Sequence, residues 1–285
     1  MIIQTWHITP TQSQKLALDA STLDEVTRQL PDGYYSTFRT FDGCRRVPGL
    51  TAHLQRLYGP VSTPGVDESH LRRQLSALLE PYQPGEARVR VIMTKAGEAY
   101  IAIQPLEPLP RAIYERGVYV ETIDLQREHP RLKSTTFISQ SNPEREHIAK
   151  ERIFEALLVK DGKILEGMTS NFFYVPRAEH ASTAFPHSAQ RGGILCTTRE
   201  NILLGVTRKT VIDIARGMGL AVKYQPLGRD QLETVDEAFI TSSSRGIVPV
   251  VKIDTVTLGQ GSPGPVTRAL MDNYESYVLE KAEKI

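Results

Sequence analysis

The chain has 285 residues, 40% of them hydrophobic and 24% charged, which is the make-up of an ordinary globular protein with room for two modest cores. A formal net charge of +1 gives no electrostatic case for nucleic acid or an anionic membrane surface as a partner. The opening residues lack a basic segment followed by an apolar core, and no apolar run approaches a membrane span, so a cytoplasmic location is expected. Cys44 and Cys196 lie far apart with no ligand spacing to any of the seven histidines, so neither a disulfide framework nor a metal site is expected.

In chain order, 34–40 reads as a strand and 50–57 as a helix. Leu71, Leu75, Leu78 and Leu79 then fall on one helical face. Residues 88–94 and 99–104 read as strands joined by the turn Lys95-Ala96-Gly97-Glu98. The prolines of Pro105-Leu106-Glu107-Pro108-Leu109-Pro110 suit neither a helix interior nor a central strand and mark a boundary. The expected division is a small N-terminal α+β domain over 1–108, a linker over 109–117 and a larger α+β domain over 118–285. In the latter, Asn142-Pro143-Glu144 opens a helix: Asn caps, Pro suits the first helical position and the acid suits the positive end. Asp161-Gly162 makes a turn, and Gly219 is placed to stop a helix that begins near Val206.

The most informative chemistry lies in the lone Lys133 and the later Leu165-Glu166-Gly167-Met168-Thr169-Ser170-Asn171-Phe172. A lysine amine captures an aldehyde cofactor as a Schiff base, and a pyridine cofactor becomes an electron sink when a carboxylate keeps its ring nitrogen protonated. Lys133 and Glu166 are the residues for those two tasks, which points to pyridoxal 5'-phosphate (PLP). A phosphate needs backbone N–H donors, hydroxyls and a fixed cation. Gly205-Val206-Thr207 at a helix start offers the first two.

These residues stand in a longer series: Asp32-Gly33-Tyr34-Tyr35, His53-Leu54-Gln55-Arg56-Leu57, Lys133, Glu166-Gly167, Leu204-Gly205-Val206-Thr207-Arg208, Asp236-Glu237-Ala238-Phe239 and Val248-Pro249-Val250. The series resembles the class IV (fold type IV) aminotransferase family, which holds branched-chain and D-amino-acid aminotransferases and aminodeoxychorismate lyases. The resemblance implies a two-domain α+β fold with the active site in the interdomain cleft, PLP as cofactor and a homodimer. It implies Lys133 as the catalytic amine, Glu166 on the ring nitrogen, and Arg56, Val206, Thr207 and Ser243 on the phosphate. For the substrate carboxylate the candidates are Arg39, Lys95 and the Ser244-Arg245 loop, with Tyr35 sharing the Arg39 face of its strand because strand side chains alternate.

Departures from the family bear on the substrate. Tyr35-Ser36-Thr37-Phe38-Arg39 stands where branched-chain enzymes have an aromatic-Glu-Gly-Ile-Arg strand. Ile138 stands where many have a tyrosine, and Thr198 replaces a proline. The Ser36-Thr37 hydroxyl pair is closer to the lyases, whereas Leu204-Gly205-Val206-Thr207-Arg208 reads like the transaminases. The expected activity is amino-group transfer between an amino acid and a 2-oxo acid. The alternative is a lyase giving 4-aminobenzoate and pyruvate.

Overall fold

The computed structural model describes residues 3–177 and 193–285. The chain divides into two units, one of Met1–Pro108, Leu132–Asn142 and Val278–Ile285, the other of Leu109–Arg131 and Pro143–Tyr277.

The first unit is built on an antiparallel sheet of β1 (Gln4–Ile8), β2 (Ser13–Leu16), β3 (Gly33–Arg39), β5 (Ala87–Thr94) and β6 (Ala99–Pro105), in the order β2-β1-β6-β5-β3. Its two faces carry different residue sets, as a period of two dictates. One face supplies Trp6, Ile8, Phe38, Val89, Val91, Met93, Ile101 and Ile103 to a core closed by α2 (Leu50–Tyr58) and α3 (Glu68–Leu79). In α3, Leu71, Leu75 and Leu79 are fully buried, each worth roughly 1.5–3 kcal/mol over exposure. Leu78 only leans on the cluster. Asp67 caps this helix by accepting from the His70 N–H at 2.7 Å. The other face buries Tyr35, Ile92 and Tyr100 with Ile138 of α5 (Thr136–Gln140), and, further along, Ala102 with Leu23 and Val26 of α1 (Leu23–Arg28).

The segments 132–142 and 278–285 group with this unit, where the sequence division placed both in the second domain. The reason is backbone pairing that residue patterns do not register. Thr135 N–H donates to Gly33 C=O and Tyr35 N–H to Lys133 C=O, both at 2.9 Å, so the lysine segment runs along the free edge of β3. At the other end β17 (Glu283–Lys284) pairs with β4 (Arg46–Val47).

The second unit carries a mixed sheet in the order β12-β11-β10-β14-β15-β7-β8-β9-β13, with β16 beside β15. Its strands are β7 (Val118–Asp124), β8 (Glu155–Lys160), β9 (Lys163–Gly167), β10 (Asn171–Pro176), β11 (Ile194–Thr197), β12 (Ala221–Tyr224), β13 (Leu227–Gly228), β14 (Val235–Ser242), β15 (Gly246–Ile253) and β16 (Val256–Thr257). Asp161 and Gly162 both adopt positive φ, 51° and 70°, as the tight β8–β9 hairpin requires. Phe173, Phe239, Ile247 and Leu195 pack on one side against α7 (Val206–Gly217) and α8 (Pro265–Lys281), while Phe172, Ile240, Val248 and Leu157 form the core on the other. Gly219, at φ 82°, follows α7 and ends it. The helix expected at Asn142-Pro143-Glu144 is α6 (Asn142–Glu151).

The stretch expected as a linker is not extended. It holds α4 (Arg111–Arg116), and Leu109, Ile113 and Tyr114 pack on the second unit's core. The prolines before Arg111 end β6 and open a helix, which is a second use of proline beside breaking structure. Both units mix helices with sheet, as the α+β expectation requires. Among the described residues no helix is long and apolar enough to cross a membrane, and no group of three or more His, Cys, Asp or Glu could hold a metal.

His53 lies in the first unit's interior at 1% exposure, its Nδ1 2.8 Å from Ser36 Oγ. Burial first, then the charges of Arg56 and Lys133, hold its pKa well below the ordinary 6.5. The unfolded chain takes up a proton here as pH falls below that value and the folded chain does not, so acid removes stability. Between about pH 6.5 and 5 the wild type should lose up to about 1.4 kcal/mol per pH unit more than His53→Gln, measured by urea unfolding. Equal pH slopes in the two proteins would show that the buried imidazole protonates freely.

Candidate active site

The expected site residues are divided between the units, and each group is organised within its own unit. In the first, β3 is the reference element. Pairing along its edge fixes the backbone of Lys133, whose Nζ lies 4.8 Å from the Tyr35 ring centroid. Across the strand, Ser36 Oγ holds His53, one helical turn before Arg56 on α2. Arg56 and Lys133 both act electrostatically on that imidazole, so the two cations share one neighbourhood of the unit.

Tyr35, Thr37 and Arg39 share the face of β3 opposite Ile92, Arg90 and Arg88 of β5. Arg39 lies 4.3 Å from the Phe41 ring centroid, and its buried Nε has no hydrogen-bond partner among the described residues. Lys95 is exposed at the β5–β6 turn, where its N–H donates to Asp32 C=O at 3.0 Å.

In the second unit Glu166, on β9, is only 2% exposed. A buried carboxylate is costly unless hydrogen-bonded and paired. Here Oε1 accepts from Arg127 Nε at 3.0 Å, Oε2 from Asn171 Nδ2 at 3.2 Å, and both from the Leu203 N–H at 3.2 Å. Asn171 Nδ2 also donates to Leu203 C=O at 2.8 Å, which ties the loop before α7 to β10. At Gly205 a Cβ would come within 2.1 Å of Asn171 Oδ1, so only glycine lets the backbone pass there.

That glycine is the N-cap of α7, and no side chain caps the helix. The first helical amides, beginning at Val206 and Thr207, have no acceptor within the helix, and they sit at its positive end. Thr207 Oγ1 and Ser243 Oγ, the latter from the β14–β15 turn, meet there at 3.1 Å. Amides, two hydroxyls and a helix N-terminus in one place are the donor set a phosphate needs. With a buried carboxylate one asparagine away, this unit holds residues that fit the phosphate and the ring nitrogen of PLP.

The loop that holds Ser243 also holds Arg245, whose guanidinium is already engaged. Its Nη2 donates to Glu155 Oε2 at 2.7 Å and to Thr169 Oγ1 at 2.6 Å. The side chain of Arg245 therefore has an internal carboxylate, and only the Ser244-Arg245 backbone stays a candidate for substrate. Thr198 uses the hydroxyl that a proline would lack, donating from Oγ1 to Ile164 C=O at 3.2 Å.

Sequence reasoning did not find Arg127, His53 or the bridging role of Asn171. Arg127 lies far from Glu166 along the chain and in no motif, and its pairing is visible only in three dimensions. His53 was in view as part of His-x-x-Arg-Leu, where a buried role is legible from its place with Leu50, Leu54 and Leu57 on one helical face.

Comparison with known proteins agrees with this chemistry. The model of the amino-transferase class IV family matches residues 33–253. The chain is 28% identical over 278 residues to a D-alanine aminotransferase of Bacillus licheniformis, covering 90% of this chain and 91% of that one. It is 26% identical to an aminodeoxychorismate lyase of Bacillus subtilis, covering 86% and 85%. A hypothetical aminotransferase from Mycobacterium tuberculosis in its PLP-bound form superposes with a TM-score of 0.74 over 96% of this chain and 99% of that one, at 20% identity. The protein belongs to the class IV aminotransferases, enzymes of fold type IV that work with PLP.

Proposed function

We propose that the chain is a transaminase that moves an amino group between an amino acid and a 2-oxo acid. Lys133 is its reacting amine, Glu166 faces the cofactor's ring nitrogen, and Arg56, Val206, Thr207 and Ser243 hold the phosphate. The observation that carries the choice over the lyase concerns Ser36 and Thr37, the hydroxyl pair that favoured a lyase. Ser36 Oγ is bonded to His53 Nδ1, and Thr37 Oγ1 accepts from Arg90 Nε at 2.9 Å, so both hydroxyls serve the fold. With that feature absorbed, the transaminase-like Leu204-Gly205-Val206-Thr207-Arg208 start of α7 decides the reading.

Bound PLP supplies an electron sink for negative charge that develops at the substrate α-carbon. The protein's part is to bind, orient and move protons. With PLP bound, Lys133 Nζ would take the proton from the α-carbon of the amino acid and give it up to the cofactor's C4′ carbon, and the second half-reaction would run the same transfer backwards. Glu166 presents a carboxylate already fixed by three donors, so little reorganisation is needed as charge develops. The α7 amides, Thr207, Ser243 and Arg56 anchor the phosphate and so orient everything attached to it. For the substrate carboxylate the reading takes Arg39 on β3, with Tyr35 on the same face, ahead of Lys95 and the Ser244-Arg245 backbone. It also carries over the family's homodimeric state.

The test is spectroscopic. An amino donor should convert the yellow cofactor band to that of the aminated form, with one equivalent of oxo acid released. Aminodeoxychorismate should give no pyruvate. Pyruvate release without conversion of the band would overturn the transaminase reading in favour of the lyase. Lys133→Ala should slow this half-reaction by about 10²- to 10⁴-fold, the usual worth of a positioned base, and leave no borohydride-fixed cofactor on the chain. A fixed adduct in that variant would place the amine elsewhere.

Glu166→Gln separates chemistry from stability. Turnover should fall about ten- to a hundredfold with cofactor still bound, and unfolding should cost about 3 kcal/mol less because Arg127 loses its carboxylate. Adding Arg127→Met should restore most of that stability and none of the turnover. Recovery of both would reduce Glu166 to a structural residue. Arg56→Ala should weaken PLP binding about ten- to a hundredfold, measured by fluorescence titration of the cofactor-free chain, and an unchanged Kd would place Arg56 outside the phosphate site.

A further inference from the structure

We propose that the Tyr35 ring is a positioning element for the Lys133 amine, holding it through a cation–π contact while the Tyr35 backbone holds the lysine's own carbonyl. The proposal rests on the reading of Lys133 as the reacting amine. Tyr35 grips the lysine at both ends: its N–H donates to Lys133 C=O at 2.9 Å, and its ring centroid lies 4.8 Å from Lys133 Nζ. A cation within about 6 Å of an aromatic ring is attracted by the ring's quadrupole.

The ring is itself fixed. Tyr35 is 4% exposed and packs with Ile92, Tyr100 and Ile138, the last of these at the position where many family members carry a tyrosine. A second cation, the Arg90 guanidinium, lies 4.6 Å from the same ring centroid. Arg90 is buried and held through its Nε and Nη1. Its Nε donates to Thr37 Oγ1 at 2.9 Å, and its Nη1 to Leu23 C=O at 2.9 Å, Thr27 Oγ1 at 2.8 Å and Asp24 Oδ1 at 2.7 Å. A chain of contacts thus runs from Asp24 through Arg90 and the Tyr35 ring to Lys133, all within one unit.

The arrangement suits a lysine that is alternately charged and neutral. The ring attracts an ammonium and has little hold on a neutral amine, so it retains Nζ when the amine has taken a proton and releases it when the proton is returned. A flexible four-carbon side chain otherwise wanders at that stage. The hydroxyl of Tyr35 has no part in this, which separates the proposal from a substrate-binding role for the same residue.

Acetic anhydride labelling of the full chain stripped of cofactor tests the contact, with exposed Lys95 as internal reference and peptide mass mapping as readout. Only uncharged amine reacts. Tyr35→Leu should raise Lys133 labelling relative to Lys95 about two- to fivefold near pH 7.5, and the excess should vanish toward the alkaline end of the pH profile. Tyr35→Phe should match the wild type. Progressively fluorinated phenylalanines at position 35 keep the ring's shape while weakening its quadrupole, and should raise labelling stepwise; this series serves if Tyr35→Leu does not fold. Phe behaving like Leu, an excess that persists at alkaline pH, or no response to fluorination would each overturn the proposal. Borohydride reduction of the PLP-loaded chain that fixes cofactor on another lysine would overturn the assignment of Lys133, and the labelling results are independent of it.

Discussion

The buried carboxylate of Glu166 is the constraint around which the second unit is arranged. Removing a carboxylate from water costs several kcal/mol, and that cost is offset only by near-complete hydrogen bonding and a counter-charge. Both are present. Arg127 supplies the charge, Asn171 and the Leu203 amide supply the remaining donors, and each partner comes from a different stretch of chain. Meeting the needs of one side chain therefore fixes the end of β9, the start of β10 and the loop before α7 relative to each other. The Gly205 passage follows from the same demand, because Asn171 occupies the space a side chain would need.

A site built this way shares its energetics with the fold. An ion pair this deep does not add much net stability over an apolar replacement, and its retention needs another reason. Under the proposed function, presenting a preoriented carboxylate to a cationic ring nitrogen is such a reason. The geometry explains why the helix beginning at Val206 carries no capping side chain, although Thr207 and Ser243 bring hydroxyls to its N-terminus. A Ser or Asp at position 205 would satisfy the first-turn amides internally, and those amides would then be lost to an external anion.

What the sequence made legible follows from what local patterns encode. The strands around 34–40, 88–94 and 99–104, the leucine face of α3, the Asp161-Gly162 turn and the Gly219 stop all arise from periodicity or backbone conformation within a few residues. The ordered motifs carried the family and the cofactor. What did not show was long-range pairing. Lys133 belongs to the unit of β3 because its flanking backbone completes a strand edge nearly a hundred residues earlier, and no side-chain pattern records that. The last residues return for the same reason, pairing with β4. The proline cluster falls where the two units part, between Pro108 and Leu109, while the residues after it form α4 in place of an irregular linker.

Hydroxyl groups give the sharpest instance of why residue identity alone underdetermines activity. Ser36 and Thr37 suggested a lyase because the pair is closer to the aminodeoxychorismate lyases than to the branched-chain enzymes, yet on a strand two neighbouring hydroxyls necessarily point to opposite faces. One face of β3 is core and holds His53 through Ser36. The other carries Arg90, held through Thr37. Ser36 is thus tied to a buried imidazole and Thr37 to the Nε of a buried guanidinium, and replacing either with an apolar residue costs that nitrogen its hydrogen bond. The pair is explained by the demands of burial on both sides of one strand, without reference to any substrate. Under the proposed function, the choice between transfer and elimination then rests on the transaminase-like Leu204-Gly205-Val206-Thr207-Arg208 at the start of α7.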